Sequence, residues 1–147
     1  MAIKCIDFFY QERKDLILSE IKVMRDLSSK SIVNYIECFL YKNDKEKELW
    51  IVMEYLDFGA LTDIVLLTVL SEDQMATITK ECLAGLDYLH ENKIIHRDIK
   101  SDNVLVGKDG TIKLCDFGFC AHLNESNDKR QTLAGTPCWM SPELINK

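Results

Sequence analysis

Asp98, Lys100, Asn103 and Asp116 are the residue types that chemistry on a phosphoryl group requires, and they lie close together in the chain. Phosphoryl transfer needs a carboxylate to orient a hydroxyl nucleophile and a cation beside the moving phosphate. It also needs two oxygen ligands for magnesium. The first three residues sit in HRDIKSDN, residues 96–103, and Asp116 opens DFG with Phe117 and Gly118. Taken singly, each is most simply a turn Asp or Asn bonded to its own backbone, or a surface lysine. Taken in order, with a short strand–turn–strand between the two words and GTPCWMSPE downstream, they form a specific pattern.

The elements that must position these residues are legible in outline. Residues 2–6 read as a short strand with Ala2, Lys4 and Ile6 on one face. Residues 14–27 have helical spacing, with Ile17, Ile21 and Met24 as one stripe and Glu20 one turn before Met24. Residues 32–40 and 49–55 read as two strands, and the charge run at 42–48 between them as a solvated hairpin tip. Ser71 and Gln74 look like a capping box. They open a helix running to Asn92, with Met75, Ile78, Cys82, Leu86 and Leu89 as its apolar stripe. Residues 104–106 and 111–115 flank the turn 107–110, a hairpin signal. No periodicity is visible from 119 to 140, which suits a long surface loop.

Composition narrows the field of functions. The chain of 147 residues suggests one domain, and 47% hydrophobic with 29% charged residues is ordinary for a globular protein. A net charge of −6 gives no reason to expect nucleic acid as a partner. The longest apolar run, residues 64–70, is too short for a membrane span. Six scattered cysteines without a CxxC pair are expected to be reduced thiols in the cytoplasm.

The motifs resemble those of a protein kinase, and the wider sequence resembles the PAK-like (Ste-type) serine/threonine kinases. That narrower likeness rests on LSEIKVMRD, SIVNYIECF, LWIVMEYL, IHRDIKSDN, CDFGFCA and KRQTLAGTPCWMSPE. It implies an α+β, partial kinase-like fold: three strands and one helix of a small lobe, then the first half of a helical large lobe. Residues 1–56 would be the small-lobe part and hinge, and 57–147 the large-lobe part through the activation segment.

The resemblance also implies roles. Asp98 would orient the substrate hydroxyl and Lys100 would sit beside the γ-phosphate of ATP, while Asn103 and Asp116 would hold Mg²⁺. Lys4, in AIK, would hold the α- and β-phosphates and pair with Glu20. Main-chain groups at Glu54 and Leu56 would meet adenine, with Met53 limiting the pocket and Ala2 and Leu105 sandwiching the ring. For the segment 53–56, a core strand without a ligand fits the sequence almost as well. Met24, Tyr35, His96 and Phe117 would stack across the lobes. Arg97 implies regulation by an activation-loop phosphate, because a cation beside the catalytic aspartate is costly to leave uncompensated. Thr132 is the expected phosphoacceptor, and Thr136 would brace Asp98 and Lys100.

Lysine two residues after Asp98 points to serine and threonine hydroxyls of protein substrates. Regulation by Rho-type GTPases would act only through segments outside these residues. Ser141 replaces the usual alanine, and Cys138 an aromatic residue. Leu66 and Leu67 stand where relatives are more polar, so that short helix is expected to bury more. A kinase domain opens with a GxGxxG loop and continues into further helices, neither of which is in this sequence. The expectation is a chain cut short at both ends, with the 71–92 stripe left partly wet and little activity by itself. The alternative is a non-catalytic decoy or interaction protein.

Overall fold

A computed structural model describes residues 1–7, 10–11, 14–42, 47–123 and 134–146. The chain opens with β1 (Ala2–Ile6), α1 (Lys14–Asp26), β2 (Tyr35–Lys42) and β3 (Lys47–Met53). After residues 54–58 come β4 (Gly59–Ala60), α2 (Leu61–Leu67), α3 (Glu72–Glu91), β5 (Ile94–Ile95) and a 3-10 turn at Ser101–Asn103. Then follow β6 (Val104–Val106), β7 (Ile112–Leu114), β8 (Ala121–His122), a second 3-10 turn at Pro137–Trp139 and α4 (Pro142–Ile145). The mixture of helix and strand is of the expected α+β class.

The first three strands form an antiparallel sheet in the order β1-β3-β2, with Lys4 opposite Ile51. The alternation in β1 is as expected: Ala2, Lys4 and Ile6 are half-buried, and Ile3 and Cys5 face outward. Helix α1 turns Glu20, Val23 and Met24 inward at one-turn spacing. Its end charges, Asp15 in the first turn and Arg25 in the last, oppose the helix dipole.

Helix α3 starts on the capping box: Gln74 N donates to Ser71 Oγ at 3.3 Å, and Ser71 N to Gln74 Oε1 at 2.9 Å. Ile78, Cys82 and Leu86 pack on the core and Leu89 is fully buried. Of the expected wet stripe Met75 is exposed, Ile78, Cys82 and Leu86 are partly buried and Leu89 is covered, so the stripe is partly wet as expected. Close packing of α3 on β7 covers its inner end. An added Cβ at Gly85 would lie 2.9 Å from both the Ser31 carbonyl and Leu114 Cδ1. The β6–β7 hairpin turns at Gly110 with φ +85°, where Gly110 N bonds the Gly107 carbonyl at 3.0 Å.

Three expectations are corrected. The strand expected at 32–40 begins only at Tyr35, because Ser31 and Val33 spend their backbone groups on Leu114 of β7, at 3.0 and 2.8 Å. Ile32 and Val33 thereby become core that joins the two halves of the chain. Leu66 and Leu67 are 78% and 88% exposed; α2 turns Leu61 and Ile64 inward instead, one turn apart. The segment 119–140 is not wholly irregular: β8 pairs with β5, and residues 137–139 form a 3-10 turn. Residues 43–46 of the expected hairpin tip lie outside the described residues.

Candidate active site

The segment 96–103 crosses between β5 and β6 and is pinned at both ends. His96 is buried between Asp98 N, which donates to its Nδ1 at 3.3 Å, and the Cys115 carbonyl, which accepts from its Nε2 at 3.0 Å. This pattern is the neutral Nε2–H imidazole, and burial holds its pKa below the ordinary histidine value. Its ring lies 5.6 Å from that of Phe117, and Met24 and Tyr35 belong to the same packed cluster. Cys115 N closes the crossing by donating to the Asn103 carbonyl at 3.0 Å.

Asp98 is 2% exposed and its carboxylate takes three donors. Thr136 Oγ1 donates to Oδ1 at 2.6 Å, Asn103 Nδ2 donates to Oδ2 at 3.0 Å, and Lys100 Nζ lies 3.1 Å from Oδ2. Lys100 also donates to Thr136 Oγ1 at 2.9 Å. Burial pushes the Asp98 carboxyl up, but the bonds from Thr136, Lys100 and Asn103 outweigh it and hold its pKa below the usual aspartate value. The same contact with Asp98 raises the pKa of Lys100.

On the facing side, Lys4 Nζ lies 2.7 Å from Glu20 Oε1 and 3.7 Å from Asp116 Oδ1. Desolvation opposes the Lys4 charge, but Glu20 and then Asp116 overcome it and raise its pKa. A cavity of about 320 Å³ holds this group. Ala2, Lys4, Glu20, Met53, Asn103, Leu105 and Asp116 line it together with Met24 and Phe117, so nine residues singled out from the sequence meet in one space. Glu54 and Leu56 do not line it; they border a separate, more polar hollow beside the turn 107–109. The Leu56 carbonyl accepts from Gly59 N at 3.2 Å, and Glu54 N donates to the Asn34 carbonyl at 3.0 Å.

Asn103 gives its amide N–H groups to the Asp98 carbonyl, at 2.8 Å, and to the Asp98 carboxylate. Its side-chain oxygen is therefore the atom presented for a ligand. With the Asp116 carboxylate in the same cavity, the site offers hard oxygen donors of the kind Mg²⁺ prefers. Arg97 and Asp116 both adopt left-handed backbone, at φ 69° and 62°. Each costs about 1–2 kcal/mol against the ordinary helical region, a strain typical of active sites.

Arg97 Nε donates to the Phe119 carbonyl at 2.6 Å. Thr132 lies outside the described residues. Burial pushes the Cys115 and Cys120 thiols up to about 12, so neither is a thiolate at neutral pH.

The family model of the protein kinase domain matches residues 1–147. The chain belongs to the protein kinase domain family. It is 50% identical over its whole length to the serine/threonine-protein kinase pakA of Talaromyces marneffei, and covers 22% of that protein. It is 50% identical to the serine/threonine-protein kinase ste20 of Aspergillus oryzae, of which it covers 17%. Against the mouse serine/threonine-protein kinase PAK 1 the identity is 49% and the coverage 26%. The chain thus spans about a fifth of the length of these curated relatives and is similar to the PAK and Ste20 type of kinase.

Two groups at the site escaped the sequence. Lys113 is buried on β7, and Asn34 joins it at Glu54; neither was singled out from the sequence. Cys115 and Asp102 line the cavity beside the expected residues. Their positions next to DFG and within the 96–103 run were the available signal. No helix among the described residues is long and apolar enough to cross a membrane.

Proposed function

We propose that this chain carries the phosphoryl-transfer centre of an ATP- and Mg²⁺-dependent serine/threonine protein kinase of PAK type. The observation that carries the reading is the buried Asp98 carboxylate, ionised by Thr136, Lys100 and Asn103 beside a cavity that also holds the Lys4–Glu20 pair and Asp116. A carboxylate has about four acceptor positions. Three are taken here, which leaves one on Oδ1 for a substrate hydroxyl. Asp98 aims that hydroxyl and receives its proton, and Lys100 stands beside the transferred group. Lys4, steadied by Glu20, holds the nucleotide phosphates, and Asn103 and Asp116 would hold the metal. Bound Mg-ATP supplies the γ-phosphoryl group and neutralises its charge.

Ala2, Met53 and Leu105 supply the apolar walls for adenine, and main-chain groups at Glu54 and Leu56, which border the neighbouring hollow, would supply its polar edge. In this reading residues 1–56 form the small-lobe part and 57–147 the large-lobe part. Thr132 is the phosphoacceptor that tunes Arg97. The substrates are protein serine and threonine hydroxyls. Six free cysteines support a reducing, cytoplasmic setting.

The test uses the full chain with radiolabelled ATP and paired serine, threonine and tyrosine peptides. Weak transfer to serine or threonine is expected from this chain by itself, falling by about a further 10²–10⁴-fold in Asp98→Asn while binding of a fluorescent ATP analogue persists. Undiminished transfer by Asp98→Asn, or transfer to tyrosine alone, would refute the reading.

A further inference from the structure

Thr62 and Ser101 carry no charge and line no part of the Lys4–Asp116 cavity. Their hydroxyl oxygens nevertheless lie 2.7 Å apart in a partly buried contact, across 39 residues of chain. Thr62 is the second residue of α2, and Ser101 is the first of the 3-10 turn 101–103. Serine and threonine hydroxyls near a helix start commonly bond the local backbone. Here neither segment has a side-chain cap at its start, and the two hydroxyls bond each other. A neutral hydroxyl pair of this kind contributes only modestly to stability, so stability alone is a weak reason for it.

The place of Ser101 in the chain gives the contact its weight. Lys100 precedes it, and Asp102 and Asn103, which both line the cavity, follow it. Backbone bonds close the turn on itself: Asn103 N donates to the Lys100 carbonyl at 3.0 Å, and Val104 N to the Ser101 carbonyl. Such bonds fix the shape of the turn but not its tilt. Thr62 supplies a point outside it, and α2 is seated firmly enough to do so. Strand β4, which leads into α2, pairs Gly59 with Val106 and Ala60 with Leu105, and Leu61 packs on the core. The start of α2 therefore grips the chain on both sides of Asn103, at Ser101 and at β6.

We propose that Thr62 is a positioning residue: through Ser101 it sets the tilt of the 101–103 turn, and so the aim of the Asn103 side-chain oxygen at a bound magnesium ion. This inference rests on the kinase reading above, in which Asn103 holds the metal. Asn103 is already held on its amide side, where Nδ2 donates to the Asp98 carbonyl at 2.8 Å and to the Asp98 carboxylate at 3.0 Å. The contact at Ser101 fixes the backbone from which that side chain springs. Thr62 and Ser101 act through the turn and touch neither nucleotide nor metal.

The experiment compares the full chain with Thr62→Val, Ser101→Ala, the double variant and Thr62→Ser. In the nucleotide-free and metal-free protein, hydrogen exchange of the Asn103 and Val104 amides reports on the turn itself. With ATP and a peptide substrate, the free Mg²⁺ concentration at half-maximal transfer reports on the aim of Asn103. Loss of one neutral hydrogen bond predicts an effect of about two- to tenfold. Thr62→Val and Ser101→Ala should each exchange these two amides faster by that factor, while the amides of α3 hold. Each should need more Mg²⁺ by a similar factor, with the KM for the peptide unchanged. The double variant should be no worse than the worse single one, because both remove the same bond. Thr62→Ser keeps a hydroxyl and should restore the parent's values. Losses that multiply in the double variant overturn the proposal and leave the kinase reading standing, and so do single variants with the parent's exchange and Mg²⁺ midpoint. A parent chain that transfers no phosphoryl group at any Mg²⁺ concentration overturns that reading, and the role of Thr62 with it.

Discussion

Replacing Thr136 with valine tests how the Asp98 carboxylate is kept ready. Valine copies the shape of threonine, so packing is preserved and only the hydroxyl is lost. The substitution deletes the 2.6 Å bond to Asp98 Oδ1 and the acceptor that Lys100 uses at 2.9 Å. Asp98 is 2% exposed, so water cannot readily replace the missing donor. A hydrogen bond to a charged group contributes about 1.5–3 kcal/mol. Expressed in the transition state, that predicts a fall in kcat/KM of about 10- to 150-fold.

The pH profile gives a second readout. The folded protein holds the Asp98 pKa below the aspartate value, partly through Thr136. Deleting that donor raises the pKa, so the acid limb of the kcat/KM profile must move to higher pH. Thr136→Ser keeps a hydroxyl and should restore most of the rate and the original limb. The assay is steady-state peptide phosphorylation from about pH 8 down through the ordinary aspartate pKa of about 3.9, over the range in which thermal unfolding shows each protein folded. A Thr136→Val protein with the parent's kcat/KM and an unmoved acid limb would refute the reasoning.

Two other outcomes follow from the packing. Gly85→Ala gains about 1 kcal/mol of helix propensity but forces a Cβ to within 2.9 Å of the Ser31 carbonyl. The overpacking cost of about 1–3 kcal/mol should at least cancel the gain, and denaturant unfolding will show no stabilisation. His96 is buried neutral with a lowered pKa, so the unfolded chain takes up a proton more readily than the folded one. Stability should be flat above the unfolded histidine pKa of about 6.5 and fall below it, by at most about 1.36 kcal/mol per pH unit from this group. A His96→Asn protein should lose that part of the slope in urea unfolding measured from pH 7.5 down to 5.5.

Local chemistry was written plainly in the chain. The capping box at Ser71 and Gln74, the glycine turn after β6 and the alternation of β1 are all contained within a few residues of sequence. Each formed as its spacing required. The motif words were equally legible, because they pack several reactive side chains into 96–103 and 116–118. Strand limits were less so: Ile32 and Val33 have the apolar character of a strand, but backbone groups of Ser31 and Val33 found partners in β7. Leu66 and Leu67 misled for the same kind of reason. Hydrophobicity says that burial is favourable, not that a neighbouring surface exists to provide it.

What the tertiary structure alone decided are the meetings across long stretches of chain. Thr136 reaches Asp98 across 38 residues, Lys113 reaches Glu54 across 59, and Lys4 reaches Glu20 across 16. Composition and period describe a residue's own element, whereas these contacts depend on the path of everything between. A lysine on a short strand looks solvated until the fold brings a carboxylate to it. The residue types stated the chemistry in advance; their distances and charge states came only from packing the two halves of the chain around Ile32, Leu114 and Phe117.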